Sequence, residues 1–198
     1  MPPPGVQRLS TGLDDTTALA LAARDGDAAA FDQLVRATYA DTYTLAYRLL
    51  SNEEDARDVT QEVYLRAYRG LRRFRGDAQV TTWLHRITAN TAMSQRSRRL
   101  RHRHERLDTD LAVVDGRAEH DPAGKADADE LRRRVEGALR ELPARLRAVV
   151  VLRDVYDLTH EAIAAELGIS ETAAKVRLHR ARRKLRDRLF AEEAGRDL

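Results

Sequence analysis

The chain has 198 residues, 35 Lys+Arg against 32 Asp+Glu, 5% aromatic residues and no cysteine. This excludes disulfides, Cys-ligated zinc and thiol catalysis and is compatible with a reducing cytoplasm. No apolar run approaches the ~18 residues of a membrane span, the opening MPPPGVQRLSTGLDD lacks the apolar core of a secretory signal, and the wealth of Ala, Leu, Arg and Glu predicts an all-α fold.

The net charge of +3 hides an alternation. Residues 1–62 carry −6, residues 63–107 carry +10, residues 108–170 carry −5 and residues 171–198 carry +4. Two basic segments, each after an acidic one, predict two contacts with a polyanion and acidic surfaces turned elsewhere. The plainer alternative is a set of solvated helix faces.

In chain order, residues 1–16 are expected to be an unstructured tail. Helical periodicity then predicts a helix over 17–24 ending at Gly26, and a second over 28–50 with Phe31, Leu34, Val35, Tyr39, Tyr43, Ala46, Tyr47 and Leu50 at i+3/i+4 steps. Ser51-Asn52 breaks it. A third helix over 54–74 sets Asp55, Asp58 and Glu62 on one face with Gln61 beside them, and turns Val59, Val63 and Ala67 inward. The carboxylates could suit a metal or an acid/base pair. No histidine lies near in sequence, and arginines on the same helix can neutralise them, so a docking surface for a basic protein fits better.

A loop at Arg75-Gly76-Asp77 precedes a fourth helix from Val80. Trp83 and Ile87 are spaced for the core. Arg86 and Asn90 share a neighbouring face, and an Asn amide can read a base edge. Arg96, Arg98, Arg99, Arg101, Arg103 and Arg106 then give six arginines in eleven residues, a phosphate-binding array by type. His102 and His104 form a weak H-x-H, read as accessory to the basic run. Residues 108–126 lack a clean period and read as a flexible linker.

Helical pattern resumes over 127–140. Pro143 suits the first turn of the next helix, which reaches about Tyr156. Thr159 can cap a short helix carrying Ala162, Ile163 and Leu167, Gly168 sits where a positive φ ends it, and Ser170 can cap a last helix over 171–189. Two helices joined by such a turn are a helix-turn-helix. Ala174, Leu178, Ala181 and Leu185 form the buried stripe of the second. The opposite side presents Thr172, Val176, His179, Arg180 and Arg183, flanked by Lys175 and Arg177. Such a face can lie in a major groove, with Arg or Lys on guanine or phosphate and the Val176 methyls on thymine. An incidental exposed valine is the alternative.

This ordered set resembles the extracytoplasmic-function (ECF) sigma factors of the sigma-70 family. The segments carrying the resemblance are Gly26-Asp27-Ala28, Asp55-Ala56-Arg57-Asp58-Val59-Thr60-Gln61-Glu62, Phe74 through Asn90, Leu142-Pro143, and the run from Leu158 to Arg182. It implies two small helical domains: region 2 over 17–107, which binds core polymerase and the −10 element, and region 4 over 127–190, which binds the −35 element. Linker 108–126 would thread toward the polymerase active-site channel, and residues 191–198 would be a tail. Asp55, Asp58, Gln61 and Glu62 would dock on the β′ clamp of RNA polymerase core. Asp77, Ala78, Gln79, Thr81, Trp83, Arg86, Asn90, Arg96, Arg98 and Arg99 would meet the −10 strand, with one base flipped out. Thr172, Lys175, Val176, Arg177, His179, Arg180 and Arg183 would read −35 duplex, while upstream helices meet the β flap.

The resemblance further implies promoter DNA and a cognate anti-sigma factor as partners, a cytoplasmic location, and no cofactor, metal, small-molecule substrate or catalysis. The family often has G-T-V-K-S-R where this chain has Thr172-Ala173-Ala174-Lys175-Val176-Arg177, so Val176 stands where a serine hydroxyl is usual. The competing readings are a stand-alone helix-turn-helix regulator, for which the acidic third helix has no use, and a hydrolase or nuclease, for which no nucleophile, metal or phosphate-loop motif is present.

Overall fold

The computed structural model describes residues 11–105 and 126–194. Those residues form helices with no strand among them. Of the linker read at 108–126, residues 108–125 lie outside them, and Ala126 is the first residue of a helix. In order, the helices are α1 (Thr11–Arg24), α2 (Ala28–Leu50), α3 (Glu53–Gly70), α4 (Val80–Glu105), α5 (Ala126–Glu141), α6 (Ala144–Val150), α7 (His160–Leu167) and α8 (Glu171–Ala194). A 3-10 turn at Leu71–Arg73 follows α3, and a π-helical turn at Val151–Val155 extends α6.

Local chemistry sets most boundaries. The Asp27 side chain accepts from the Ala30 amide at 3.0 Å and starts α2. Ser51 closes it in the left-handed region, φ 54°, with its N–H on Tyr47 O at 2.7 Å. Asn52 at once caps α3 by accepting from the Asp55 amide at 2.8 Å, and Glu53, Glu54 and Asp55 complement the dipole of that first turn. Thr159 and Ser170 cap α7 and α8 as their sequence positions suggest, accepting from Ala162 N and Ala173 N at 3.1 Å each. Gly168 takes φ 61° between them.

Several boundaries differ from expectation, among them the end of the third helix: α3 stops at Gly70 and a 3-10 turn takes Leu71–Arg73 before the extended Phe74. Helix α1 begins at Thr11, inside the expected tail. Pro143 stands one position earlier than the first turn, as the residue preceding α6, with φ −50° and ψ 130°. Helix α8 runs on to Ala194, into the second expected tail.

Helices α1–α4 enclose Leu34, Leu45, Leu49, Val59, Val63, Val80 and Leu84, all within 2% of complete burial. Each such side chain contributes roughly 1.5–3 kcal/mol on leaving water. Inside this module the Tyr64 hydroxyl is satisfied by Thr38 at 2.9 Å and Thr42 at 3.0 Å. Helices α5–α8 enclose Leu139, Leu142, Leu146, the run Val149–Leu152, Ile163, Ala174, Leu178 and Ala181. The two modules also pack on each other: α2 meets α5, α6 and the π-helical turn, and α4 meets α7.

Candidate functional site

The acidic face of α3 forms as its spacing predicts. Val59, Val63 and Ala67 are buried behind it, while Asp58 and Gln61 are exposed. Glu62 accepts from Arg66 Nε at 2.6 Å, and that guanidinium holds its carboxyl below the ordinary glutamate value. Asp55 is ion-paired to Arg99 of α4, which joins an expected polymerase contact to an expected DNA contact. Leu65, 53% exposed, sits on the same stripe. It escaped the reading of acidic residues, although its spacing from Asp58 and Glu62 places it there.

The segment before α4 is tied to α1 at both ends. Arg24 Nη1 donates to Phe74 O at 3.3 Å, and Thr17 Oγ1 accepts from the Val80 amide at 3.2 Å. Gly76 turns the chain with φ 80° against Leu21. Asp77, Ala78 and Gln79 are exposed between these ties, and Thr81 is half-buried. Trp83 is also half-buried. Its ring lies 5.2 Å from that of Phe74, and a Cβ on Gly70 would come within 3.2 Å of it. Trp83 is thus engaged in packing, the core role that its spacing with Ile87 suggested. Neither Arg24 nor Thr17 carries a sequence signal for this work.

Arg86 and Asn90 do share a face, and that face meets the second module. Asn90 Nδ2 donates to Glu166 Oε2 at 2.8 Å, and Arg86 Nε lies 3.2 Å from Glu166 Oε1. The Glu166 side chain is only 13% exposed. Beside this contact His85 Nε2 lies 2.6 Å from Asp41 Oδ2, and the Tyr156 ring stacks edge-on to His85 at 4.4 Å. Burial, then the Asp41 carboxylate, pushes the Tyr156 phenol well above its ordinary pKa. Burial pushes the Asp41 carboxyl up, but the hydrogen bond and charge of His85, together with Tyr156 and Arg48, outweigh it and leave the value below normal.

Arg147 crosses the same seam, 6% exposed, donating to Arg140 O at 2.9 Å and Leu49 O at 3.2 Å. Among the described residues no carboxylate neutralises it and its Nε has no partner, and burial, then Arg96, pushes its pKa down to about 10. Arg98 is exposed, and Arg96 is half-buried. Arg101, Arg103, His102 and His104 have side chains outside the described ones, and Arg106 lies outside the described residues.

On α8 the inward stripe is Ala174, Leu178 and Ala181, with Leu185 packed beside it. Thr172, Lys175, Val176, His179, Arg180 and Arg183 are exposed, Val176 at 45%. Lys175 pairs with Glu171 one turn back at 2.7 Å. Arg177 departs from the set: it is half-buried and turns toward α4 and α6, lining a cleft with Arg96 and Arg145. Arg182 is bound by Asp154 at 2.5 Å. Among the described residues no group of three potential ligands is placed to hold a metal, and no helix is long and apolar enough to cross a membrane.

Residues 34–102 match the family model for sigma-70 region 2, and residues 132–185 match that for sigma-70 region 4. The chain is 37% identical over 179 residues to the ECF RNA polymerase sigma factor SigE of Mycolicibacterium smegmatis, covering 89% of this chain and 69% of that protein. It is 32% identical over 164 residues to the ECF RNA polymerase sigma-E factor of Escherichia coli, covering 79% of this chain and 85% of that one. Among solved structures, CnrH in complex with the cytosolic domain of CnrY is similar with a TM-score of 0.57 at 28% identity, over 90% of this chain and 99% of that one. Sigma factor RpoE of Bartonella quintana shares the fold, with a TM-score of 0.63 at 24% identity over 80% and 96% of the two chains.

Proposed function

The chain belongs to the ECF sigma factors of the sigma-70 family, and from that premise we infer that it is a promoter-specificity subunit of RNA polymerase. It binds the core enzyme, recognises the −35 and −10 elements and promotes promoter melting. The observation that carries this reading is the match of both modules, in order, to the two sigma-70 regions.

The geometry supports a division of labour. The exposed Asp58 and Gln61, with Glu62 and Asp55, form the surface for the basic β′ clamp, and Leu65 adds apolar area to it. The loop at Asp77–Gln79, braced by α1, and the Arg86–Asn90 face take the −10 strand. Opposed charge steers the first contact, whereas base edges and stacking select the second. The outer face of α8 reads the −35 duplex, with Arg180, Arg183 and His179 for phosphate and guanine and Val176 for a thymine methyl. Upstream helices of the second module meet the β flap.

The chain carries no chemistry of its own, holds no cofactor or metal, and works in the cytoplasm, where chromosome and polymerase are. A cognate anti-sigma factor is its third partner. The relative CnrH is solved bound to the cytosolic domain of another protein, which supports a surface built for protein capture.

In-vitro transcription with core enzyme on a randomised promoter library tests the reading. The full chain should yield a discrete −35/−10 pair that core alone does not use. Tight binding to a symmetric duplex site by free chain, without stimulation of core, would overturn it. Asp58 is exposed, so Asp58→Lys should fold normally yet weaken core binding by about tenfold or more, measured by competition against the unmodified chain. Unchanged affinity would remove the clamp assignment.

A further inference from the structure

Where the two modules meet, a cavity of about 200 Å³ opens between α4, α6 and α8. Three guanidiniums line it: Arg96 from α4, Arg145 from α6 and Arg177 from α8, with Met93 and Leu167 as apolar walls and Ser97 at the side. Among the described residues no carboxylate lines it. The seam's cations at Arg48 and Arg86 each meet one, Glu136 at 3.4 Å and Glu166 at 3.2 Å. The cationic character of the cleft deepens behind its wall. Burial lowers the pKa of Arg96, and Arg147, 6% exposed with an unpartnered Nε, is lowered further by Arg96.

Like charges gathered in a partly desolvated cleft repel one another more strongly than in bulk water. Closing the modules brings these arginines together from two separate modules, so the closed arrangement carries an unmet demand for negative charge. Guanidinium forks match the tetrahedral oxygens of phosphate bidentately, and several forks around one cavity favour a chain of phosphates over a single one. The space admits several waters' volume, enough for a short phosphate chain and too little for a DNA duplex.

We propose that the cleft lined by Arg96, Arg145 and Arg177 is a binding site for a small linear di- or triphosphate, which bridges the two modules and favours the closed arrangement. The bound anion also occupies Arg96 and Arg177, two arginines otherwise available to nucleic acid, so it opposes promoter engagement. Free phosphate chains and the backbone of a single DNA strand share this chemistry. The small volume of the cleft, about 200 Å³, favours the free chain of phosphates.

Isothermal titration calorimetry on the full chain, at constant ionic strength, tests this with sodium tripolyphosphate, orthophosphate and a six-nucleotide single strand. Tripolyphosphate should bind one to one, and orthophosphate at least tenfold more weakly. Arg145 is exposed and lies outside the proposed promoter-reading residues. Arg145→Gln should weaken tripolyphosphate binding at least tenfold, with unchanged helical circular dichroism and melting temperature. Arg72→Gln, outside the cleft on the 3-10 turn, should bind as the unmodified chain does. Equal losses in the two variants, or several ions bound per chain, would overturn the site in favour of diffuse attraction to a basic surface. Binding of the single strand that depends on Arg145, without binding of tripolyphosphate, would overturn it in favour of a nucleic-acid groove.

Discussion

Glu166 holds Arg86 and Asn90, the two side chains proposed to read the −10 strand. Its carboxylate accepts from Asn90 and pairs with Arg86 while itself only 13% exposed. A hydrogen bond to a charged group contributes roughly 1.5–3 kcal/mol, so a single residue can compete with a base edge for the same donor. Glu166→Ala should therefore raise the affinity of the free chain for a −10 single strand by about tenfold, in fluorescence anisotropy. If core polymerase draws the modules apart, as separate −35 and −10 contacts require, unmodified and variant chains should not differ once bound to it. Equal affinity of the two free chains would mean that Glu166 does not restrain the face. The same logic applies at Asp55, whose partner Arg99 is one of the cations proposed for DNA. These pairs bring together acidic and basic residues far apart in sequence, and neither is visible as a local motif.

At the scale of the element, α8 divides its residues sharply. The inward stripe of Ala174, Leu178 and Ala181 is within 5% of complete burial, whereas Val176 is 45% exposed. The left-handed Gly168 that ends α7 and the Ser170 cap that starts α8 set the turn between the two helices. Position 176 is thus presented outward by a rigid support, which suits base reading. Val176→Ser should change the selected −35 motif at one or two positions, by about 1–3 kcal/mol per pair where the contact is direct. Selection of the same motif by both chains would remove Val176 from the reading face. Helix α4 shows the opposite economy. Its early residues pack inward through Val80, Leu84 and Ala89, and its polar side meets the second module through Arg86 and Asn90.

Across the whole molecule, closure of the modules depends on Arg147, which binds a carbonyl of each: Arg140 O in its own and Leu49 O in the other. Arg147→Ala leaves α6 with a good helix former but removes the bond to Leu49, at a cost to the closed arrangement of about 1–3 kcal/mol. Small-angle scattering should show a larger radius of gyration with unchanged helical circular dichroism. An unchanged scattering profile would mean that apolar contacts alone hold the modules together.

Much of this architecture was legible in the amino-acid order. The caps at Thr159 and Ser170, the positive φ of Gly168 and the i+3/i+4 stripes of α3 and α8 are local consequences of side-chain chemistry within a few residues, so periodicity and capping rules reach them. The exposed reading face of α8 follows directly, being the side opposite its stripe. Contacts across the seam are of another kind. Glu166 on Asn90, Arg147 on Leu49, Tyr156 beside His85 and the inward turn of Arg177 join residues dozens of positions apart. Their geometry depends on how two finished modules meet, and on shape and charge summed over both faces, which no single segment encodes.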